Sequence, residues 1–432
     1  MDAAAKPVFA LVDVNNMYCS VERLFQPQLR GRPLVVLSGN DGNAVARSHE
    51  AKALGVPMGE PWFKLRALAK KHGIVARSSN FPLYADLSNR LVAILRDFSP
   101  NLQIYSVDEC FLAVDSVANL WPSHEEMGHA IRRRVDQWIG LPVCVGTGAP
   151  SLTMAKLANH IAKKRPEFNG VCDLSTMPAS RQQAIFDSID VGEVWGVGRK
   201  TADQLRLMNI HTVGALRAAT PAAIRGRFGV VVERTCRELQ GISCIELEEV
   251  PPARQQIISS RSFGATVGTL RELEESVSMH VARASEKLRG QGSVCGGIQV
   301  FVMTDRFRES APQYSNAFTV PLPVPTADLR SLVRAALWAL RRIYLTGYQY
   351  KKTGVMLSDI GAAGVVQGNL FETGVPRRKS AEVMATLDAV NRRFGRDTLK
   401  VASAAGAGRW HARSEIKSPH FTTDWNELPI AR

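Results

Sequence analysis

The chain of 432 residues has a length typical of roughly two to four domains, and its 45% hydrophobic and 22% charged content excludes a disordered or fibrous protein. No apolar run is long enough to span a membrane. The net charge of +14 is uneven, because residues 1–250 carry 29 basic and 25 acidic side chains, whereas residues 251–432 carry 25 and 15. A basic half favours a nucleic acid or another anionic partner, although a solvated basic face has the same composition.

The cysteines and the N-terminus predict a cytosolic protein. The seven cysteines are odd in number and scattered, with no C-x-x-C pair, so reduced core thiols are expected rather than a disulfide framework or a zinc site. The first apolar run, residues 8–12, is too short for the core of a signal peptide.

Strands and amphipathic helices alternate in the first 170 residues. The predicted strands lie at 8–14, 34–37, 102–107, 110–114 and 142–146, and the predicted helices at 15–25, 43–54, 61–71, 83–96, 125–139 and 151–164. With residues 26–80 set aside as an insertion, a β-α-β-β-α-β order remains. This is the ferredoxin-like order, an antiparallel sheet with helices on one face.

The remaining sequence predicts a helical block and a second mixed unit. A helix at 188–194, a glycine turn and a helix at 199–208 open a helical block that runs to about residue 241. Residues 245–254 have the composition of a linker. Another β-α-β-β-α-β unit follows. Its helices are predicted at 270–288 and 328–344, and the three of its four strands that the sequence places lie at 255–262, 298–302 and 353–359. Residues 361–432 are expected to be a mostly irregular tail with one helix near 380–394.

Three carboxylates are the strongest chemical feature. Asp13 ends a predicted strand, and Asp108 and Glu109 lie between two others of the same sheet. Because the first and middle strands of a ferredoxin-like sheet are neighbours, these groups are expected to converge, at a cost in repulsion and desolvation that divalent cations relieve. The same spacing also fits an Asp13 that caps the first helix, with Asp108 and Glu109 in an exposed turn. The spacing alone does not decide between a metal site and these structural roles.

Two basic features are candidate phosphate sites. Gly196 and Gly198 form a G-V-G turn between predicted helices, resembling a helix-hairpin-helix, and Arg199 and Lys200 follow directly. An ordinary helix–helix turn is the alternative. The second feature is a lysine cluster on the helix at 151–164, where a solvated face is the alternative; its members are Lys156, Lys163 and Lys164.

A Leu-Phe pair in the tail is typical of docking motifs. Gln367 precedes Leu370 and Phe371 in a segment with little predicted structure. Exposed apolar side chains of this kind suit a hydrophobic pocket on a partner, and local packing is the alternative.

Together these residues resemble the Y-family translesion DNA polymerases over essentially the whole chain. The specific motifs are FALVDVNNMY at 9–18 and YSVDEC at 105–110. The segments at 40–64, 391–399 and 418–432 are similar to the bacterial UmuC type, the catalytic subunit of DNA polymerase V and its plasmid-borne relatives.

The resemblance implies an α+β multidomain protein, a right-hand polymerase with a ferredoxin-like palm. The palm is expected at 1–25 and 80–170, with small fingers at 26–79. A helical thumb with the helix-hairpin-helix is expected at 171–243, a linker at 244–253, a β-α-β-β-α-β little finger at 254–359, and a tail with a clamp-binding motif at 360–432.

The resemblance also implies a role for each motif residue. Asp13, Asp108 and Glu109 become catalytic carboxylates that bind two Mg²⁺ ions, with the Val14 carbonyl as a further ligand. Tyr18 matches the steric gate that excludes a ribose 2′-hydroxyl, although a core aromatic is the alternative.

Further residues match family contacts to the dNTP and the sliding clamp. Lys163 matches a lysine that contacts the incoming triphosphate. The clamp motif is carried by three tail residues: Gln367, Leu370 and Phe371. Many family members have Tyr and Arg three apart in the fingers, where this chain has His49 and Lys52; lysine lacks the bidentate fork of arginine. The UmuC type also tends to carry lysine here, and no triphosphate role is assigned to His49.

The function implied is error-prone, template-directed DNA synthesis across lesions, in the SOS response of a bacterium. The expected partners are primer-template DNA, the replicative sliding clamp, a UmuD-like dimer and a RecA filament, in the cytoplasm and at the nucleoid when active. A non-catalytic DNA-binding scaffold and a ferredoxin-like nucleotide cyclase are the alternatives. The acidic trio argues against the scaffold, and the glycine turn, the basic half and the clamp-like tail argue against the cyclase.

Overall fold

The computed structural model describes residues 7–250, 252–308, 310–364, 377–405 and 413–428. The chain divides into two compact units. The first comprises Met1–Ser38, Asn43–Pro251 and Ile416–Arg432, and the second Gly39–Gly42 and Pro252–Glu415. Within the described ranges, no helix is long and apolar enough to cross a membrane.

The first unit contains eight strands and eleven helices among its described residues. In chain order they are β1 (Phe9–Val14), α1 (Met17–Phe25), β2 (Leu34–Leu37), β3 (Ala44–Arg47), α2 (His49–Ala53), α3 (Trp62–His72), β4 (Val75–Ser78), α4 (Phe81–Arg96), β5 (Leu102–Ile104), β6 (Glu109–Ala113), α5 (His124–Ile139), β7 (Val143–Gly148), α6 (Leu152–Lys164), β8 (Val171–Asp173), α7 (Ala179–Asp187), α8 (Arg199–Leu207), α9 (Val213–Ala218), α10 (Pro221–Phe228) and α11 (Val230–Leu239).

The main sheet has the strand order β5-β6-β1-β7-β8. Its first four strands have the ferredoxin-like order expected from the sequence, and β1 pairs antiparallel with both β6 and β7. β8 adds a parallel edge strand, so this sheet extends to Asp173, beyond the palm limit expected at residue 170.

β1 is buried on both faces because it lies at the centre of the sheet. Ala10, Val12 and Val14 face a core that includes residues of α4 and α5. Phe9 and Leu11 face the opposite side, where they pack with residues of α6. The expectation of helices on one face is therefore incomplete, since α6 covers the other face. By strand alternation Asp13 belongs to the α6 side.

Two glycines of β7 let α6 approach the sheet closely. A Cβ added at Gly146 would lie 2.0 Å from the backbone nitrogen of Asn159, and one at Gly148 would lie 2.4 Å from that of Ala155. The Asn159 side chain fastens the contact, since its Nδ2 donates to the carbonyl oxygens of Leu11 and Cys144 at 3.2 and 2.8 Å. Because Gly146 and Gly148 lack side chains, α6 lies closer to the sheet than a strand with larger residues at these positions would allow.

A smaller sheet, in the order β3-β2-β4, lies in the inserted segment. The helix predicted at 43–54 is wrong, because the structure has β3 followed by the short helix α2. Val35 and Val36 of β2 pair with β3, and the Ser48 hydroxyl accepts a hydrogen bond from the backbone of Ala51 and starts α2. β4 was not predicted, and it pairs parallel with β2.

The helical block consists of α7–α11. The helix predicted at 188–194 is wrong: α7 ends at Asp187, and only a 3-10 turn forms at Val191–Glu193. Asp190 pairs with Thr212 in an isolated bridge and caps Gly192 through its carboxylate. Those contacts hold Asp190 in an extended conformation and leave only the 3-10 turn ahead of the glycine turn.

The second unit contains four described strands and three described helices. They are β9 (Ile257–Val267), α12 (Leu270–Gly290), β10 (Ser293–Thr304), β11 (Ser315–Thr326), α13 (Leu329–Ile343), β12 (Tyr350–Ala362) and α14 (Arg377–Phe394). The first six have the predicted β-α-β-β-α-β order. The antiparallel sheet order β11-β10-β12-β9 differs from that of the first unit. Pro321, Pro323 and Pro325 lie on β11, an edge strand where proline is tolerated.

Parts of the predicted tail are integrated into both units. α14 covers the helix predicted near 380–394 and belongs to the second unit, where Met384 is buried and Asp388 pairs with Arg289 at 2.6 Å. Residues 416–428 belong to the first unit and are called the C-terminal strap below. The expected domain limits otherwise remain predictions.

Replacing Gly146 with alanine is predicted to destabilise the first unit. The new Cβ meets backbone atoms of α6 that cannot rotate away, so overpacking is expected to cost about 1–3 kcal/mol. The midpoint of urea unfolding measures the loss. Gly226→Ala in α10 is the matched control, because its Cβ would meet no atom within 4 Å. Equal midpoints for Gly146→Ala and the wild type would contradict the close packing of α6.

Candidate active site

The pairing register of β1 and β6 brings two carboxylates side by side. Asp13 lies directly opposite Glu109. One residue on, the backbone N–H of Val14 donates to the carbonyl oxygen of Asp108 at 2.9 Å. The Asp108 carboxylate accepts a hydrogen bond from the Ser106 hydroxyl at 2.6 Å. The three acidic residues singled out in the sequence therefore meet at one end of the central strand pair.

Two lysines of α6 face these carboxylates. Lys163 Nζ lies 2.5 Å from Asp13 Oδ2, and Lys156 Nζ lies 2.8 Å from Glu109 Oε1. The lysines are seven residues apart, two helical turns, so both project from the same face of α6. The close approach of α6 to β7 carries that face to the strand end.

The electrostatics of Asp13 suit a cation site. Burial raises the pKa of the Asp13 carboxyl to about 7 against the charge of Lys163, and Glu109 adds to the rise. A divalent cation relieves this cost of ionising two adjacent carboxylates, and carboxylate and carbonyl oxygens are the ligands Mg²⁺ prefers. Asp13 and Glu109 thus fit a divalent-cation site, and Asp108 lies at the same strand end through its backbone contact with Val14.

A cleft of about 280 Å³ opens beside these groups, between the strand end, α6 and the segment before the glycine turn. Trp195 lines it and donates from Nε1 to the Tyr105 hydroxyl at 3.0 Å. Lys156 Nζ lies 4.5 Å from the centre of the Tyr105 ring. The sequence analysis did not predict Trp195 as a cleft residue or its contact with Tyr105, because the two residues are 90 positions apart and their spacing carries no signal.

His160 is a further cleft residue missed from the sequence. Burial lowers the pKa of its imidazole, while Glu193 opposes this and the charges of Lys164 and Lys163 add to it. It lies on α6 between Lys156 and Lys163, and this i, i+4, i+7 spacing was the available signal.

Tyr18 lies on α1 near the acidic residues. Its ring is half-buried and stacks on Tyr84, with centroids 4.4 Å apart and planes at 14°. Burial raises the pKa of the Tyr18 hydroxyl, and the charge of Asp108 raises it further. The ring thus packs on the core, as the core-aromatic interpretation expects, and the steric-gate role of Tyr18 stays a prediction.

Lys52 of α2 contributes positive charge nearby. Its Nζ donates to Asn16 Oδ1 at 2.5 Å. Partial burial lowers the pKa of Lys52, and the charges of Arg47, Lys163 and Lys164 lower it further. Lys52 therefore belongs to the same basic field as the α6 lysines. His49 is exposed at the start of α2.

The glycine turn precedes α8. Gly196 has a φ of +86°, which favours glycine, and Gly198 caps α8 without a side-chain hydrogen bond. Arg199 and Lys200 are exposed in the first turn of that helix. A Cβ at Gly198 would meet no atom within 4 Å, so the helix N-terminus is open.

The predicted clamp motif in the tail lies outside the described residues; its members are Gln367, Leu370 and Phe371.

Known sequences match the chain over most of its length. The profile of the impB/mucB/samB family matches residues 12–160, its C-terminal domain matches 254–370, and a domain of unknown function matches 381–431. Protein UmuC of Salmonella typhimurium is 43% identical over 98% of this chain and 99% of its own length. Protein ImpB of the same species is 42% identical over 98% of this chain and 100% of its own. A DNA polymerase IV of Dehalococcoides mccartyi is 25% identical over 89% of this chain and 94% of its own.

Solved structures show the same fold. A Y-family DNA polymerase chimera of Dbh and Dpo4 has a TM-score of 0.65 at 19% identity, covering 82% of this chain and 99% of that one. The insertion ternary complex of Dbh DNA polymerase has a TM-score of 0.53 with the same identity and coverage. The fold is that of a polymerase with mixed α and β content. On these matches the chain belongs to the impB/mucB/samB family, the UmuC type of the Y-family DNA polymerases.

Proposed function

We propose that the chain is an error-prone translesion DNA polymerase that extends a primer 3′-hydroxyl with dNTPs on a template strand. The observation that carries this proposal is the convergence of Asp13, Asp108 and Glu109 at one strand end, faced by Lys156 and Lys163. Carboxylates beside cations are what nucleotidyl transfer requires, since metal ligands and triphosphate contacts must share one site.

The acidic residues are proposed as the metal ligands. Asp13, Asp108 and Glu109, with the Val14 carbonyl, would hold two Mg²⁺ ions, which when bound lower the pKa of the attacking hydroxyl and stabilise charge on the leaving pyrophosphate. The chain's own contribution is positioning, because the β1–β6 register holds two ligands in place before substrate binds.

The lysines are proposed to bind the triphosphate. Lys163 and Lys52 lie close enough for the charge of one to affect the other. Lys163, which pairs with Asp13 in this structure, can pair with a triphosphate instead. Lys156 pairs with Glu109 and lies over the Tyr105 and Trp195 rings, which suits orienting a metal ligand rather than binding substrate.

The subdomain roles are proposed by analogy with the family. The main sheet is assigned to the palm, the β3-β2-β4 sheet to the fingers, α7–α11 to the thumb and residues 254–359 of the second unit to the little finger. The open N-terminus of α8, with Gly196, Gly198, Arg199 and Lys200, is proposed to bind DNA phosphate as a helix-hairpin-helix.

The cellular setting is proposed from the relatives. One relative is named UmuC, which supports a role in the SOS response of a bacterial cell, with a UmuD-like dimer and a RecA filament as partners. The sliding clamp is proposed to bind the tail motif of Gln367, Leu370 and Phe371.

Primer extension by the chain, measured alone and then with clamp, UmuD-like dimer and RecA filament, tests the polymerase proposal. No extension under any of these conditions would favour the DNA-binding scaffold.

Asp108→Ala is predicted to reduce dNTP incorporation by about a hundredfold or more, because it removes a ligand for developing charge. Binding of primer-template DNA should stay close to the wild-type value. Single-turnover primer extension and fluorescence anisotropy measure the two quantities. Asp115→Ala is the control, since Asp115 is exposed beyond β6. Near-normal incorporation by Asp108→Ala would remove the catalytic assignment.

Tyr18→Ala is predicted to admit ribonucleotides, because the ring that would meet a 2′-hydroxyl is removed. Competing extension with dNTPs and rNTPs gives the discrimination ratio. Tyr18→Phe keeps the ring and should retain the wild-type ratio. A ratio unchanged in Tyr18→Ala would leave Tyr18 as a core aromatic.

DNA binding is predicted to weaken steeply as salt rises, in keeping with the net charge of +14. Lys200→Gln should lower the slope of log K against log salt by about one. Arg206→Gln on the same helix is the matched control, because Arg206 is occupied by Asp190 and Asp203. Equal slopes for Lys200→Gln and the wild type would exclude Lys200 from the DNA interface.

A further inference from the structure

The C-terminal strap (residues 416–428) docks on the first unit through specific contacts. The Ile416 N–H donates to Ser78 Oγ at 3.1 Å, beside β4. Phe421 is 7% exposed and stacks on Phe25 of α1, with centroids 4.7 Å apart. Thr422 Oγ1 donates to Asp86 of α4 at 2.8 Å. The strap thus joins β4, α1 and α4.

One strap residue completes a buried polar network. The Glu22 carboxylate is fully buried and accepts hydrogen bonds from the Tyr84 hydroxyl at 2.6 Å and from the Ser418 hydroxyl at 3.0 Å. Asn80 Nδ2 in turn donates to Ser418 Oγ at 3.1 Å and to the carbonyl oxygen of Pro419 at 3.0 Å. A buried carboxylate is costly unless such bonds are made, so removing Ser418 leaves Glu22 less satisfied.

The same network ends at Tyr18. Tyr84 is fully buried, its hydroxyl is held by Glu22, and its ring stacks on Tyr18 at 4.4 Å with the planes 14° apart. Because stacked rings lie face to face in nearly parallel planes, the orientation of Tyr84 limits the orientation of Tyr18. Ser418, Glu22 and Tyr84 therefore form one physical connection from the strap to the proposed sugar gate.

We infer that the C-terminal strap is part of the sugar-selection apparatus: Ser418, acting through Glu22 and Tyr84, is a positioning residue for the ring of Tyr18. This inference rests on the proposed function, since it gives the strap a role in discriminating dNTPs from rNTPs. A gate works by steric exclusion, so a small tilt of the ring changes the space open to a 2′-hydroxyl. The strap's contacts with Ser78, Phe25 and Asp86 hold it in place.

The test compares full-length variants by the ratio of kcat/KM for dNTP to kcat/KM for rNTP. Ser418→Ala is expected to lower this ratio by about fivefold, the factor for one lost hydrogen bond of ~1 kcal/mol, with dNTP incorporation close to wild type. Tyr84→Phe, which also breaks the connection, should lower the ratio similarly. The double variant should lose no more than either single variant, because both interrupt one path.

Two controls separate positioning from general loosening of the strap. Ser418→Thr keeps the hydroxyl and should retain the ratio. Thr422→Val removes a different hydrogen bond of the strap, the one to Asp86, and should also retain it. Wild-type ratios in Ser418→Ala and Tyr84→Phe would overturn the inference and leave the polymerase assignment intact, as would an equal fall in Thr422→Val.

Amide hydrogen exchange provides a readout that needs no catalysis. Ser418→Ala should speed exchange of residues 81–88, the first turns of α4 that carry Tyr84, more than Thr422→Val does. If the wild type extends no primer, the proposed function fails. Amide hydrogen exchange then remains as the test of the connection from Ser418 to Tyr84. Unchanged exchange at 81–88 would overturn the connection, and faster exchange confined to Ser418→Ala would support it.

Discussion

The antiparallel pairing of β1 with β6 is the constraint on which the site depends. It places Asp13 opposite Glu109 and brings the backbone of Asp108 to Val14. A slip of one residue would turn Asp13 toward the α4–α5 core, where a carboxylate has no partner. The register is held by the alternation of Phe9 and Leu11 on one face with Ala10 and Val12 on the other. The apolar pattern of one strand therefore positions the chemistry at its end.

The lysines of α6 reach those carboxylates because two residues of β7 are glycines without side chains. Gly146 and Gly148 allow α6 to lie directly on β7, and Asn159 fastens it with two hydrogen bonds to strand carbonyls. The lysines of α6 then face the carboxylates as counter-charges. With Lys163 paired to Asp13, burial still raises the pKa of the Asp13 carboxyl to about 7, because desolvation outweighs the attraction of the ammonium.

The distant end of the sequence contributes to the same unit. Glu22 of α1 is satisfied partly by Ser418, almost four hundred residues later, and Phe421 closes over Phe25. The strap thereby supports α1 and α4, the two helices that carry Tyr18 and Tyr84. Residues 381–431 match a domain of unknown function, and its described final segment packs on the unit that contains the candidate site.

Local patterns determined much of this protein: the strand ending in Asp13, the ferredoxin-like element order, α12 and α13, and the UmuC-type motifs are all evident in the printed sequence. Two predicted helices failed for reasons that lie in pairing. Residues 43–54 carry helix formers, but pairing with Val35 and Val36 overrides them, and the bridge of Asp190 with Thr212 limits 188–194 to a 3-10 turn. Only tertiary structure decided that α6 covers the second face, that Trp195 lines the cleft and bonds Tyr105, and that Ser418 reaches Glu22. Those contacts join residues distant in sequence, and periodicity reports which face of an element is buried but not what covers it.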